Sequence, residues 1–163
     1  MPTAAECESL LRQVGLRVTR PRVAVLTAVC NEPHAETDSI IRAARAALGE
    51  VSTQAVYDVL RALTAVRLIR RFEPAGSVAR YEARVGDNHH HVVCRSCGAI
   101  ADVDCCVGAA PCLHPSHDQG YEIDEAEVIY WGVCPDCMAK SLIAGPRTTQ
   151  QAAEAPIQEK DPS

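Results

Sequence analysis

Residues Asp87 to Asp102 read DNHHHVVCRSCGAIAD: three consecutive histidines, then two valines, a Cys-x-x-Cys pair, and an aspartate five residues after the second cysteine. The β-branched run ahead of Cys94 has strand character. Side chains alternate along a strand, so His89 and His91 point one way and His90 the other. Cys94-x-x-Cys97 is matched downstream by Cys134-x-x-Cys137, with 36 residues, 98–133, between the pairs. Each pair presents two thiolates from a tight turn, and together they complete the four-sulfur shell that Zn²⁺ favours. A simple zinc ribbon has a spacer of about 15–20 residues. The longer spacer here predicts a sheet folded between the knuckles, with the metal pinning its far end. A closed shell leaves no position for substrate, so this zinc is expected to be structural. The alternatives are two redox pairs or disulfides; finding both pairs in one chain of intracellular character favours the shared ion.

That character is read from the rest of the chain. Its 163 residues can bury a core without disulfide staples, so the nine cysteines call for another role. The N-terminal MPTAAECESLLRQVGL has no signal-peptide core, and no run of about 18 apolar residues exists, which predicts a cytoplasmic protein with no membrane partner. The net charge of −5 is unevenly placed. Residues 1–85 hold 12 Lys and Arg against 9 Asp and Glu, and residues 86–163 hold 4 against 12. Only the first half suits a polyanion.

Hydrophobic spacing in that half predicts helices: Leu10, Leu11 and Val14, then Val25, Leu26 and Val29 after Pro21 at a first helical position. Thr37 is expected to cap a helix bearing Ile40, Ile41, Ala44 and Leu48 that Gly49 ends. Ser52 is expected to cap the next, with Val56, Val59, Leu60 and Leu63 as its stripe. The short turn between them gives helix-turn-helix proportions. Leu68–Glu73 and Val78–Ala83 flank a Pro/Gly/Ser turn and predict a hairpin wing. Strands are then expected at HVVC, AIADV and EVIYWGV, a last helix from Pro135 or Asp136 to Ile143, and a disordered tail over 145–163. The fold class read from this order is α+β.

Two histidines on one face of a strand beside a zinc knuckle make a second metal site a specific expectation. Asp102 lies on the next strand, Glu82 ends the wing where the halves meet, and His34 sits on the loop before the third helix. Three imidazoles and two carboxylates suit Fe²⁺ or Mn²⁺ better than a second tight zinc. The opening stretch therefore reads as two interleaved sites.

The order winged helix-turn-helix, RYE, HHHVVCRSCG and distal CPDC resembles the ferric uptake regulator (Fur) family of metal-dependent bacterial repressors over residues 8–142. Within it, the segments resemble an actinobacterial branch found with catalase-peroxidase, whose behaviour is shared with peroxide regulators. The resemblance implies a winged-helix DNA-binding domain at 1–84 and a metal-binding dimerisation domain at 85–144. It places structural zinc on Cys94, Cys97, Cys134 and Cys137, and the regulatory metal on His34, Glu82, His89, His91 and Asp102. TQAVYDVL resembles the recognition helix, read around Tyr57, and Arg17 and Arg20 match a basic segment that meets the DNA backbone or minor groove. Ser52 and Thr53 would approach bases and phosphates, and Arg61, Arg70 and Arg71 would add phosphate contacts.

Departures from the pattern are informative. Asp58 stands where many relatives have arginine, which bears on base readout, and Glu82 where peroxide-sensing members often carry aspartate. His90 and Ala126 stand at positions of a second regulatory site, which is expected to be absent or degraded. Gly108, Pro111 and Pro115 would break a helix that many relatives have.

What the resemblance implies is a homodimer on a pseudo-palindromic duplex, repressing oxidative-stress or iron-homeostasis genes in response to iron or peroxide. Oxidation of a ligand histidine beside iron is one implied trigger; disulfide formation among Cys105, Cys106 and Cys112 is the rival. Cys7 and Cys30 read as structural, with Cys30 a small buried hydrophobe. A zinc- or manganese-responsive member, or a metal-dependent hydrolase, are the alternatives. Against an enzyme stand the lack of a His-Glu-x-x-His motif and of a phosphate-binding glycine loop.

Overall fold

A computed structural model describes residues 2–105, 115–123 and 126–143, so the expected tail over 145–163 lies outside the described residues. Helix α1 (Ala4–Gln13) is opened by a reciprocal cap: the Thr3 hydroxyl accepts from the Glu6 N–H, and the Glu6 carboxylate accepts from the Thr3 N–H. It buries Cys7 and Leu11. In α2 (Arg20–Asn31), Thr19 is the cap and Pro21 takes the second helical position rather than the first. An N–H there needs no helical partner either, so proline costs nothing. The face Ala24, Val25, Leu26, Ala28 and Val29 is buried.

Helix α3 (Thr37–Leu48) corrects one expectation. Glu36, not Thr37, is the capping residue, and no side chain caps this end. Ala35 and Glu36 are already committed to a short strand, β1 (Ala35–Glu36), and the Glu36 carboxylate lies 2.8 Å from the Arg80 guanidinium. Gly49 ends α3 at a φ of 84°, backbone that a residue with a Cβ resists. Helix α4 (Thr53–Ala65) starts at Ser52, whose hydroxyl accepts from the Ala55 N–H at 3.1 Å. It buries Val56, Val59, Leu60 and Leu63 as the spacing predicts.

The wing strands are shorter than expected, β2 (Arg70–Phe72) and β3 (Arg80–Glu82), and form a three-stranded sheet, since β1 adds to the free side of β3. The four helices and this sheet enclose one core, centred on Leu11, Val25, Val29, Ile40, Val56, Leu60, Leu63, Ile69 and Tyr81. Burying each large aliphatic side chain contributes roughly 1.5–3 kcal/mol, enough to set the relative positions of the helices.

The second sheet holds β4 (His89–Cys94) between β5 (Ile100–Asp104) and β6 (Ile129–Gly132), followed by α5 (Pro135–Ile143). β5 returns antiparallel, with His91 opposite Asp102 and His89 opposite Asp104. β6 pairs parallel to β4, with Cys94 opposite Gly132. Parallel neighbours need a long crossover, which accounts for the long spacer between the cysteine pairs. The chain is thus α+β, with helices and a small sheet first and a separate sheet after.

Candidate metal centres

The parallel register of β4 and β6 brings both Cys-x-x-Cys knuckles to the same end of the sheet. Cys94 closes β4, Cys97 lies in the turn after it, Cys134 follows β6, and Cys137 sits in the first turn of α5. The first knuckle is closed by Gly98 N–H to Cys94 O at 2.9 Å and Cys94 N–H to Ala99 O at 2.8 Å. Gly98 takes a φ of 74°, which turns the chain back into β5. One ligand atom from each cysteine lies within 4.8 Å of all the others. Cys97 and Cys134 sulfurs are 3.7 Å apart, far beyond the roughly 2.05 Å of a disulfide bond.

Electrostatics fits a cation among these sulfurs. The Cys134 N–H, donating to Cys94 Sγ at 3.3 Å, leads the backbone N–H groups that hold Cys94 down to about 6. The Ala99 N–H acts the same way on Cys97, but the sulfurs of Cys94, Cys137 and Cys134 outweigh it and push Cys97 up to about 12. Four thiolates this close repel one another, and a divalent ion at their centre relieves that repulsion.

The second cluster draws on four parts of the fold. His34 comes from the turn before β1, Glu82 from the end of β3, His91 from β4 and Asp102 from β5. Their ligand atoms also lie within 4.8 Å of one another. His34 Nε2 is 2.6 Å from Asp102 Oδ1 and 3.5 Å from Glu82 Oε2, and His91 Nε2 is 2.9 Å from Glu82 Oε2. Phe72 stacks on His91 with ring centres 4.0 Å apart and meets His34 edge-on, walling the site with carbon. His34 adopts a φ of 59°, uncommon for a residue with a Cβ, and the Arg80 guanidinium donates to its carbonyl.

His89, the fifth expected ligand, is outside that tight group of four and reaches it through the other oxygen of Glu82. His89 Nε2 is 3.2 Å from Glu82 Oε1, yet neither atom has a well-formed hydrogen bond, and both are buried. Two facing, unpartnered buried ligand atoms are expensive unless something between them satisfies both. Burial acts to raise the Glu82 carboxyl, but its bonds to His34 and His91 and the charges of His91 and His89 hold it down to about 2. Burial likewise pulls His34 down, and its bonds to Glu82 and Asp102 outweigh this and push it up. The carboxylates therefore favour positive charge at this locus, and two carboxylates with three imidazoles fit a divalent cation.

The structure is more selective about the DNA-facing residues. Tyr57 is 43% exposed on α4, and Arg17, Arg20 and Arg61 are exposed as well. The Ser52 hydroxyl is occupied in capping, Thr53 Oγ1 accepts from Arg45 at 3.1 Å, and Arg71 is paired with Glu73. Asp58 bonds Gln54 at 2.9 Å on the same face as Tyr57. Arg70 is half-buried. Cys105 is half-buried at the end of β5, while Cys106 and Cys112, like Gly108 and Pro111, lie outside the described residues. His90 is buried on the opposite face of β4 from His89 and His91, edge-on to Tyr130.

Residues that sequence reasoning passed over include Phe72, Arg80, Arg84 and Asp87. Asp87 shares strand parity with His89 and could have been flagged; its Oδ1 is 2.8 Å from His89 Nδ1. The arginines carry no periodic signal, since a long side chain can reach in almost any direction.

Comparison with known proteins follows the same lines. The model of the Ferric uptake regulator family matches residues 13–137. "Transcriptional regulator FurA" of Mycobacterium tuberculosis is 69% identical over 127 residues, 78% of this chain and 86% of that protein. "Ferric uptake regulation protein 2" of Mycolicibacterium fortuitum is 65% identical over 140 residues, 84% of this chain and 96% of that one. Among solved structures, the Helicobacter pylori ferric uptake regulator Fur superposes with a TM-score of 0.61 at 19% identity, covering 85% of this chain and 97% of that one. The Vibrio cholerae ferric uptake regulator gives 0.58 at 22%, covering 78% and 98%. At these identities the two structures speak to the fold alone.

Proposed function

This chain belongs to the ferric uptake regulator family of metal-responsive DNA-binding transcriptional repressors, and we propose that its repressor activity is set by Fe²⁺ or Mn²⁺ at His34, Glu82, His89, His91 and Asp102. The family consists of transcriptional regulators, not enzymes. Cys94, Cys97, Cys134 and Cys137 would hold Zn²⁺ as a structural ion, because their closed sulfur shell has no open position. The observation that carries the reading is the 2.6 Å approach of His34, from the helical half, to Asp102, from the second sheet. A divalent cation bound there would supply attraction common to both halves.

The protein's own residues do the rest. His34 is anchored by its strained turn, Glu82 ends the wing strand, and His91 and Asp102 face each other across β4 and β5. Drawing these groups together fixes the angle between a DNA-binding domain over 1–84 and a dimerisation domain over 85–144. In a two-fold dimer that angle sets the separation of two α4 helices, which must match half-sites about 34 Å apart. Tyr57 and Arg61 on α4, with Ser52 and Thr53 at its start, would face the groove, and Arg17 and Arg20 the phosphates. Arg70 and Arg71 would contribute from the wing, Arg71 after release from Glu73. Such contacts weaken with salt.

Iron or peroxide is the proposed signal, and genes of oxidative stress or iron homeostasis the proposed targets, in the cytoplasm. The naming of the Mycolicibacterium fortuitum relative as a ferric uptake regulation protein supports the iron arm. Among the described residues no helix is long and apolar enough to cross a membrane. The test is binding to a cognate promoter, followed by fluorescence anisotropy, with and without Mn²⁺, for the protein and its H89A/H91A variant. Metal-dependent binding lost in the variant, at unchanged zinc content, supports the reading; equal binding in both overturns it. Peroxide added to iron-loaded and manganese-loaded protein then separates the triggers by peptide mass. Oxygen gained at His34 or His89 in the iron form alone supports histidine oxidation, and disulfides among Cys105, Cys106 and Cys112 support the thiol route.

A further inference from the structure

The link between β3 and β4 carries Arg84, a residue that none of the roles above uses. Its three guanidinium nitrogens face three different carboxylates. Nε donates to Asp87 Oδ2 at 2.5 Å, Nη1 to Asp102 Oδ2 at 3.3 Å, and Nη2 to Asp104 Oδ1 at 2.7 Å. Asp102 and Asp104 stand opposite His91 and His89 in the β4–β5 ladder, so the guanidinium lies alongside the pair of strands that carries three of the expected ligands.

Two of these bonds lead into the candidate regulatory centre. Asp102 gives Oδ2 to Arg84 and keeps Oδ1 on His34 Nε2. Asp87 gives Oδ2 to Arg84 and keeps Oδ1 on His89 Nδ1. An ionised carboxylate only accepts, so Nδ1 is the donor in the His89 bond, and in the neutral ring that can ligate a cation the lone pair then lies on Nε2, facing Glu82 Oε1. A single arginine thus touches the supports of two ligands on different strands.

We propose that Arg84 is a positioning residue for the regulatory cation: it restricts Asp102 to one coordinating oxygen and, through Asp87, locks His89 in the ring orientation and tautomer that present Nε2. The proposal rests on the reading of His34, Glu82, His89, His91 and Asp102 as a metal site. The guanidinium bond takes one lone pair of Asp102 Oδ2 and holds the plane of the carboxylate with Oδ1 towards His34, which disfavours chelation through both oxygens. Freed of Arg84, Asp102 can turn to present both oxygens, which would raise the coordination number. Asp87, freed likewise, no longer fixes the His89 ring. Groups that orient metal ligands in this way change affinity by about 10–100-fold when removed. Guanidinium geometry matters because its three separate nitrogens reach three carboxylates in a fixed fork, whereas an ammonium must aim all its donors from one nitrogen.

The experiment is a Co²⁺ titration of the full chain with its zinc retained, followed by visible absorption, for the protein and its R84M, R84K and H91A variants. Band position and intensity report the number and symmetry of ligands, which a merely structural arginine would not alter. Absence of a sulfur-to-cobalt band shows that the cysteine shell keeps its own ion. R84M is expected to bind Co²⁺ about tenfold or more weakly with a changed band, and R84K to fall between it and the parent. A parent-like affinity and spectrum in R84M overturns the proposal. Should R84M fail to fold, the same result in R84K overturns it. H91A separates the two levels of inference: a parent signal that H91A leaves intact defeats the metal-site reading itself, whereas a signal lost in H91A but untouched in R84M defeats only the role of Arg84.

Discussion

His34 Nε2 and Asp102 Oδ1 lie 2.6 Å apart although 68 positions separate them in the chain. The first belongs to a turn between α2 and β1, the second to the outer strand of the other sheet, and Glu82 and His91 complete the meeting point. Beside the stacking of Phe72 on His91, the halves meet here through groups whose charge depends on what they bind. If the halves hinge here as proposed, two carboxylates and buried imidazoles would make that hinge respond to a metal ion far more than apolar packing would.

Replacing His34 by asparagine tests that relationship without disturbing the backbone. Asparagine tolerates the left-handed conformation, whereas alanine there adds strain of roughly 1–2 kcal/mol. H34N is expected to retain its far-ultraviolet circular dichroism and its zinc, lose at least about tenfold in Mn²⁺ affinity, and lose Mn²⁺-dependent promoter binding. H34A should behave alike towards Mn²⁺ and melt at a lower temperature than H34N. Parent-like Mn²⁺ binding by H34N, measured by calorimetry, would show that His34 does not bridge the halves.

The elements that were legible in the sequence are those with a short-range physical signature. The stripe Val56, Val59, Leu60 and Leu63 is buried as its spacing demands, and Ser52 caps α4. Strand parity placed His89 and His91 on one face, and residue chemistry placed the four cysteines together. The misses share a different cause. Thr37 lost its cap role because Ala35 and Glu36 pair with Tyr81 and Arg80 of β3, 46 and 44 positions further along the chain and invisible to local pattern. Arg84 and Arg80 act through long side chains whose targets are set only by the assembled sheets. The position of His89 beside the group of four, rather than within it, depends on which oxygen of Glu82 it faces, a distinction no sequence encodes locally.

The core of the helical half should behave as an ordinary packed interior. Leu63 is fully buried among helices and wing. Leu63→Ala is expected to lower unfolding free energy by about 2–5 kcal/mol through lost transfer energy and the cavity left behind. In urea the midpoint should fall with little change in slope. Zinc content per chain should not change, since the knuckles belong to the other sheet.

Cys30 should be chemically quiet. Cys30 is half-buried rather than fully buried as expected, and this partial burial, with the neighbouring Cys7, still pushes its thiol up to about 11. The thiolate is the reactive form, and burial disfavours it, so near pH 8 only on the order of one chain in a thousand carries it. Iodoacetamide should label Cys30 roughly a hundredfold or more slowly than a free thiol, with the rate climbing as pH approaches 11. Rapid labelling at pH 8 in the folded protein would show that this partial burial does not hold the thiol protonated.

Removing the proposed structural zinc should damage the second half selectively. Cys97 joins Cys94 on the knuckle after β4 to Cys134 and Cys137 beside β6 and α5, closing a loop of 36 intervening residues, 98–133. Without a cation the choice is between repelling thiolates and neutral thiols that bind one another weakly, and either loosens the parallel pairing of β4 with β6. C97S is therefore expected to lose zinc and to lower the melting temperature of this half by on the order of 10 °C or more. Amide exchange should rise along β4 and β6 while α2 and α4 stay protected. Because His89 and His91 sit on the loosened strand, Mn²⁺ binding should fall in the same variant, although no regulatory ligand has been touched. Zinc loss that leaves exchange in β4 and β6 unchanged would show that the sheet stands without its sulfur shell.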